Sequence, residues 1–199
     1  MSWASVAETR GLLVGALGGV IVNLLLGSGV LARKPSSVKK LLRAERVELV
    51  DPTGKSHAVL EVDGDGNPSL VFLGKTGSPV AAVMVESEGE PSIDLYDANG
   101  KTRVALSLLA GGEPSLDLYD TEGKTRVALN LLAGGEPSLD FYDANGKTRV
   151  TLHMVTSGEP SLNLYDAGEK HRAAFGLKAE GEPLLLLADK EEKVVWKVP

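Results

Sequence analysis

From residue 45 onward, apolar and polar residues alternate in short runs, and the runs recur. Ser92–Asp97 and Thr102–Leu108 each alternate with period two, the spacing of strands that bury one face. Between them Ala98-Asn99-Gly100-Lys101 carries Asn-Gly, the strongest short hairpin signal, which predicts a two-residue type I′ turn with both central residues at positive φ. The register then follows: Leu95 faces Val104, and Ile93 faces Leu106. On the opposite face Tyr96 sits beside Arg103 and Asp94 beside Ala105. All the apolar residues share one side, which a slip of one residue would undo. Leu109–Glu113 is a glycine-containing loop to the next strand, which opens on Pro114, a position where proline costs little ladder bonding.

This hairpin repeats. Pro91, Pro114, Pro137, Pro160 and Pro183 are each 23 residues apart, a period that marks a repeat architecture. Extended backwards, it gives seven units, starting at residues 45, 68, 91, 114, 137, 160 and 183. The middle units are close copies and the outer ones diverge, as capping units do. Gly168-Glu169 in the sixth unit suits a type II′ turn, while Thr53-Gly54 and Glu122-Gly123 fit the hairpin less well. The expectation is an all-β tandem β-hairpin repeat array over residues 45–199, either meander or solenoid. A solenoid would stack Asp97, Asp120, Asp143 and Asp166, and likewise Arg103, Arg126, Arg149 and Arg172, on adjacent strands about 4.8 Å apart. Like charges directly opposite are unfavourable, so the charges favour the meander. Its continuous aliphatic face, from Ile93, Leu95, Val104 and Leu106 through Leu116, Leu118, Val127 and Leu129, is too large to stand in water. A single closed barrel of so many strands would leave an unfilled lumen. Either the sheet curls onto itself or another copy covers the face.

A different pattern precedes the repeats. After a polar tail over residues 1–10, Gly11–Ala32 contains no charge and matches the ~20 residues of a membrane-spanning helix. Gly11, Gly15, Gly19, Asn23 and Gly27 fall at steps of four. On a helix they form one stripe of small residues with an amide, the pattern that brings two membrane helices together. A cleaved signal peptide is the rival reading, with Gly27-Ser28-Gly29 ending the run and Val30-Leu31-Ala32 suited to cleavage. The basic residues favour an uncleaved anchor, because only Arg10 precedes the run while Arg33, Lys34, Lys39, Lys40, Arg43 and Arg46 follow it. The same asymmetry places the repeats in the cytoplasm. Residues 33–44 read as a basic linker.

Charge divides the chain in the same way. Residues 1–44 carry six Lys/Arg against Glu8, a net of +5, and residues 45–199 carry 15 against 26 Asp/Glu, a net of −11. An acidic array argues against nucleic acid, whose binding needs neutralised phosphates. The basic linker would be drawn to anionic lipid. The chain has no cysteine, so disulfides and thiolate chemistry are excluded.

Few residues suggest a site. Asp97–Gly100 and Asp143–Gly146 look faintly like calcium loops, but such a loop needs several oxygen ligands and a closing Glu; these residues are what a tight turn needs. His57, His153 and His171 occupy three different repeat positions and form no column. Asp94, Asp117 and Asp140 recur on the polar face, where they read as a solvated surface that pairs with neighbouring Arg or Lys. No nucleophile elbow, phosphate loop or dinucleotide fingerprint is present. The pattern breaks in two places: Val71, Leu73, Val80, Ala82 and Met84 make the second unit apolar on both faces, and Leu184–Leu187 with Val194–Val198 do so in the last. These are candidate contacts or plain end caps.

The motif Pro-Ser-Leu-x-Leu-Tyr-Asp-x-x-Gly-Lys-x-Arg-Val-x-Leu resembles repeats in uncharacterised bacterial proteins with an apolar N-terminal segment. The likeness covers residues 45–199; it implies a bacterial, membrane-linked repeat protein and brings no activity with it. MORN repeats share the hairpin and a similar period, but their glycine and aromatic pattern is missing here. The expected function is a membrane-anchored structural or interaction module, held in lipid through residues 11–32 and self-associating. It has no catalysis, cofactor, metal or small-molecule substrate. An accessory subunit of a larger membrane complex and an exported repeat protein are the alternatives.

Overall fold

The computed structural model describes residues 42–198. Fourteen strands follow one another: β1 Arg46–Val50, β2 Ser56–Val62, β3 Pro68–Leu73, β4 Pro79–Val85, β5 Pro91–Tyr96, β6 Thr102–Leu108 and β7 Pro114–Tyr119. The second half continues as β8 Thr125–Leu131, β9 Pro137–Tyr142, β10 Thr148–Met154, β11 Pro160–Tyr165, β12 His171–Leu177, β13 Pro183–Ala188 and β14 Val194–Val198. They form one sheet in strict sequence order, and every pairing is antiparallel. The array is therefore a meander, not a solenoid. Equivalent aspartates and arginines lie two strands apart, about twice the ~4.8 Å strand spacing, which relieves the repulsion that stacking would impose.

The register across the first hairpin of the third unit is Leu95 to Val104 and Ile93 to Leu106, but it is reached by another route than a type I′ turn. The Asp97 carbonyl accepts from the Gly100 amide at 3.0 Å, and the Asp97 amide donates to the Lys101 carbonyl at 2.9 Å. Gly100 has φ +77° while Asn99 has no positive φ. This is a three-residue loop, a turn closed by one left-handed residue. Left alone it would set Leu95 against Arg103 and break the apolar row. A bulge corrects it: Tyr96 pairs with Thr102, and Arg103 is the extra residue. Tyr96 is thus opposite Thr102, not beside Arg103 as a two-residue turn would have it. Every hairpin on this edge carries such a shift.

The left-handed position also explains the turns that fit a type I′ hairpin poorly. Gly54 and Gly123 occupy it with φ +85° and +81°, so Thr53 and Glu122 need no special conformation. In the sixth unit the expected leading glycine of a type II′ turn is not used: Gly168 has no positive φ, and Glu169 takes the position at φ +60°. Glu192 does the same at φ +64° in the last unit. The turns on the opposite edge share the design, with Leu109 closing on Glu113 and Gly112 at φ +88°, but without a bulge. A short 3-10 turn at Ala179–Gly181 is the one departure there.

Element packing runs from each strand to its sequence neighbours. The sheet is a single layer, and β1 and β14 do not pair with each other, so it neither closes nor folds back on itself. Of the two ways of covering the apolar face, curling of the sheet onto itself is absent from the described residues.

Candidate interaction surface

One face of the sheet is apolar and three residues wide from β2 to β13. On β5 it presents Pro91, Ile93 and Leu95, and on β6 Leu108, Leu106 and Val104. The rows continue without a break: Leu106 stands opposite Leu116, Val104 opposite Leu118, Leu116 opposite Leu129 and Leu118 opposite Val127. All eight apolar residues anticipated from the sequence therefore lie on one surface. With no second layer the face stays largely open: Ile93, Leu95 and Leu106 are each 46% exposed, Leu129 47% and Phe175 62%, while Val104, Leu116 and Val127 are half-buried. Fully burying such a side chain is worth about 1.5–3 kcal/mol, and each half-exposed one forgoes a good part of that. Gly11, Gly15, Gly19, Asn23 and Gly27, the expected helix stripe, lie outside the described residues.

The other face differs from the solvated surface expected. Its floor is lined by small residues, and several are buried, with Ser115 3% and Asp94 9% exposed. The aspartates are not paired with Lys or Arg. Instead the Tyr96 hydroxyl donates to Asp94 at 3.2 Å, Ser115 to Asp117 at 2.6 Å and Ser138 to Asp140 at 2.8 Å. Burial pushes the Asp94 carboxyl above its ordinary value against the Tyr96 hydrogen bond. Burial, with Asp94 alongside, pushes the Tyr96 hydroxyl up to about 12. A cavity of about 700 Å³ opens over this floor between Glu86, Ser92, Asp94, Ala105, Leu109 and Tyr119. Nothing in the strand alternation marked this burial, because a polar residue at these positions reads as solvated.

The bulged arginines work along the edge. Arg126 lies 3.4 Å from Asp120 and donates to the Tyr142 carbonyl, in the next unit, at 3.0 Å. Arg149 and Arg172 likewise pair with Asp143 and Asp166 and reach carbonyls of the following turn. Lysines add a second link: Lys101 donates to the Thr121 carbonyl at 2.7 Å, Lys124 to Ala144 at 2.6 Å and Lys147 to Ala167 at 3.2 Å. One edge of the array is thus laced from turn to turn. Within the turns that open on an aspartate its carboxylate accepts backbone amides, as Asp97 does from Asn99 at 2.8 Å and Lys101 at 3.2 Å; the second unit has Gly74 at that position. These bonds hold the Asp97 carboxyl below its ordinary range.

Two of the histidines come closer together than their repeat positions implied. His171 Nε2 lies 3.0 Å from Asn163 Oδ1, and the Asn163 amide lies 3.4 Å from His153 Nδ1. His57 stands apart, 3.1 Å from Asp51. Among the described residues no group of three or more His, Asp or Glu is arranged to hold a metal ion. No helix among them is long and apolar enough to cross a membrane, and residues 11–32 lie outside that set.

No protein-family model matches the chain, and no curated protein does. Two of the loosely similar solved structures are a TCP domain and a TCP10 domain. One is the TCP domain of Drosophila melanogaster SAS-4 (dCPAP), solved in complex with a proline-rich motif of Ana2 (dSTIL). It is 12% identical with a TM-score of 0.43, over 80% of this chain and 86% of that one. The other is the TCP10 domain of Danio rerio CPAP with a peptide of Danio rerio STIL, 12% identical with a TM-score of 0.18, over 77% and 98%. Likenesses this loose support no functional conclusion.

Proposed function

We propose that this chain is a membrane-anchored structural or interaction module that self-associates and performs no catalysis. The observation that carries the reading is the continuous apolar face, left half exposed by a single-layered sheet. A surface of that extent on a protein marks an interaction site. The uncharged stretch over residues 11–32, its glycine stripe and the basic residues after it support an anchor in lipid, with the repeats in the cytoplasm. The acidic array speaks against nucleic acid as a partner, and the regularity of the repeats against an active site or a small-molecule substrate.

The same face would suit a different protein, which makes an accessory subunit of a larger membrane complex the second reading. Light scattering of the detergent-solubilised full chain separates them. A defined homo-oligomer supports self-association. A monomer that aggregates unless a partner is co-purified supports the accessory subunit. Gly15→Leu with Gly19→Leu is expected to weaken the oligomer, and an unchanged size would remove the stripe from the account. A thiol introduced as Lys147→Cys, labelled from one side of the membrane, checks the orientation. Recovery of the chain as a soluble exported protein, without residues 11–32, would replace the anchor with a signal peptide.

A further inference from the structure

We infer that a second copy of this chain covers the apolar face, laid back to back on it with the two-fold axis running along the array. This rests on the self-association proposed above and adds its geometry. The face is about 60 Å long for fourteen strands and roughly 14 Å wide for three alternate residues, which approaches the ~800 Å² per partner of a stable interface before side-chain relief is counted. The chain's own apolar segment is too short to do the same work, since a helix over residues 11–32 would measure about 33 Å.

Shape selects the partner further. At the rotation of about 20–25° that is ordinary between neighbouring strands, the apolar face of such an array would wind through most of a turn around the long axis. A flat membrane or a compact protein meets such a face along only part of its length. A second copy related by a two-fold axis along the array winds at the same rate and stays in contact throughout. The relief also repeats. Leu106, Pro114, Leu116, Leu129 and Leu131 rim a hollow of about 290 Å³. Two units on, Leu152, Pro160, Leu162, Phe175 and Leu177 rim one of about 330 Å³. Each is an order of magnitude larger than the ~30 Å³ of a water and can receive an aliphatic side chain from a facing sheet of the same period. The arrangement keeps strands of the two sheets nearly aligned, as packed sheets prefer. It also puts both N-terminal ends at one end, as two chains anchored in one membrane require.

In this dimer the middle column of each sheet faces the middle column of the other. Leu116 and Leu139, one unit apart in that column, each face their own counterpart. The chain has no cysteine, so single thiols are unique. We would treat detergent-solubilised full-length Leu116→Cys, Leu139→Cys and Asp117→Cys with a thiol crosslinker spanning about 10 Å, the separation of packed sheets. Leu162→Cys, another unit on, stands in for a variant that fails to fold. The expected result is covalent dimer from both leucine positions at least tenfold faster than from Asp117→Cys. Equal rates on both faces of a dimer would overturn the inference and leave self-association through the span standing. Crosslinking at Leu116 without Leu139 would overturn the axis. A monomer whose leucine positions are protected, by lipid or by its own N-terminal segment, would overturn both the inference and the self-association.

Discussion

Gly100 and Asn99 are adjacent, yet they carry different demands. Gly100 holds φ +77° with open space around a Cβ, so Gly100→Ala is expected to cost about 1 kcal/mol through backbone strain alone. Asn99→Ala is expected to be near neutral, because Asn99 is not left-handed. Urea unfolding of the two variants distinguishes this turn from a type I′ turn, in which both would suffer. The aspartate that opens the turn makes stability depend on acid. Backbone amides chiefly hold the Asp97, Asp120 and Asp166 carboxyls below their ordinary value of 3.8. A depressed folded value contributes stability above the ordinary value and loses it as pH falls through the folded one. The urea midpoint is therefore expected to drop below about pH 4, and Asp120→Asn to flatten that drop. Asp94 has the opposite sign: burial raises its folded value, so its contribution is lost as pH rises through that value. Asp94→Asn is expected to raise the midpoint at neutral pH, and a lower midpoint would count against a burial penalty there.

The hairpin shows how much of the element could be read from its residues. Ile93, Leu95, Val104 and Leu106 share a face because period-two alternation permits no other choice. Their register was legible, but through two departures that cancel: the loop has three residues instead of two, and Arg103 is bulged out. Local propensity carries no sign of such a bulge. The period does, since three-residue loops at both edges would move equivalent residues by 24 positions, and the sequence repeats at 23. The burial of Ser115 and Asp94 was not legible, because a polar residue on a strand reads as solvated until the height of its neighbours is known. The same modularity gives a prediction for the element. Deleting residues 114–136 joins Glu113 to Pro137 and restores the Glu-Pro-Ser-Leu junction. Each unit contacts only its neighbours, so stability is a sum of unit and interface contributions. The shortened chain is expected to keep its β circular dichroism and a cooperative transition at a modestly lower temperature. Loss of both would mean that the array folds through contacts beyond nearest neighbours.

At the scale of the molecule, the laced edge and the apolar face divide the work. Arg126, Arg149 and Arg172 tie successive turns together, although ion pairs at a solvent-facing edge contribute little to stability. They hold the spacing; they do not supply the driving force. The larger potential gain lies in side chains such as Leu106 and Leu129, which the chain's own described residues leave half exposed. The measurement that tests this most directly is the mass of the detergent-solubilised full chain by light scattering, beside that of Leu116→Glu with Leu129→Glu. The account predicts two protein chains per particle for the wild type and a shift to one for the variant, with the β circular dichroism retained. A wild-type monomer, or a variant that stays dimeric, would contradict it.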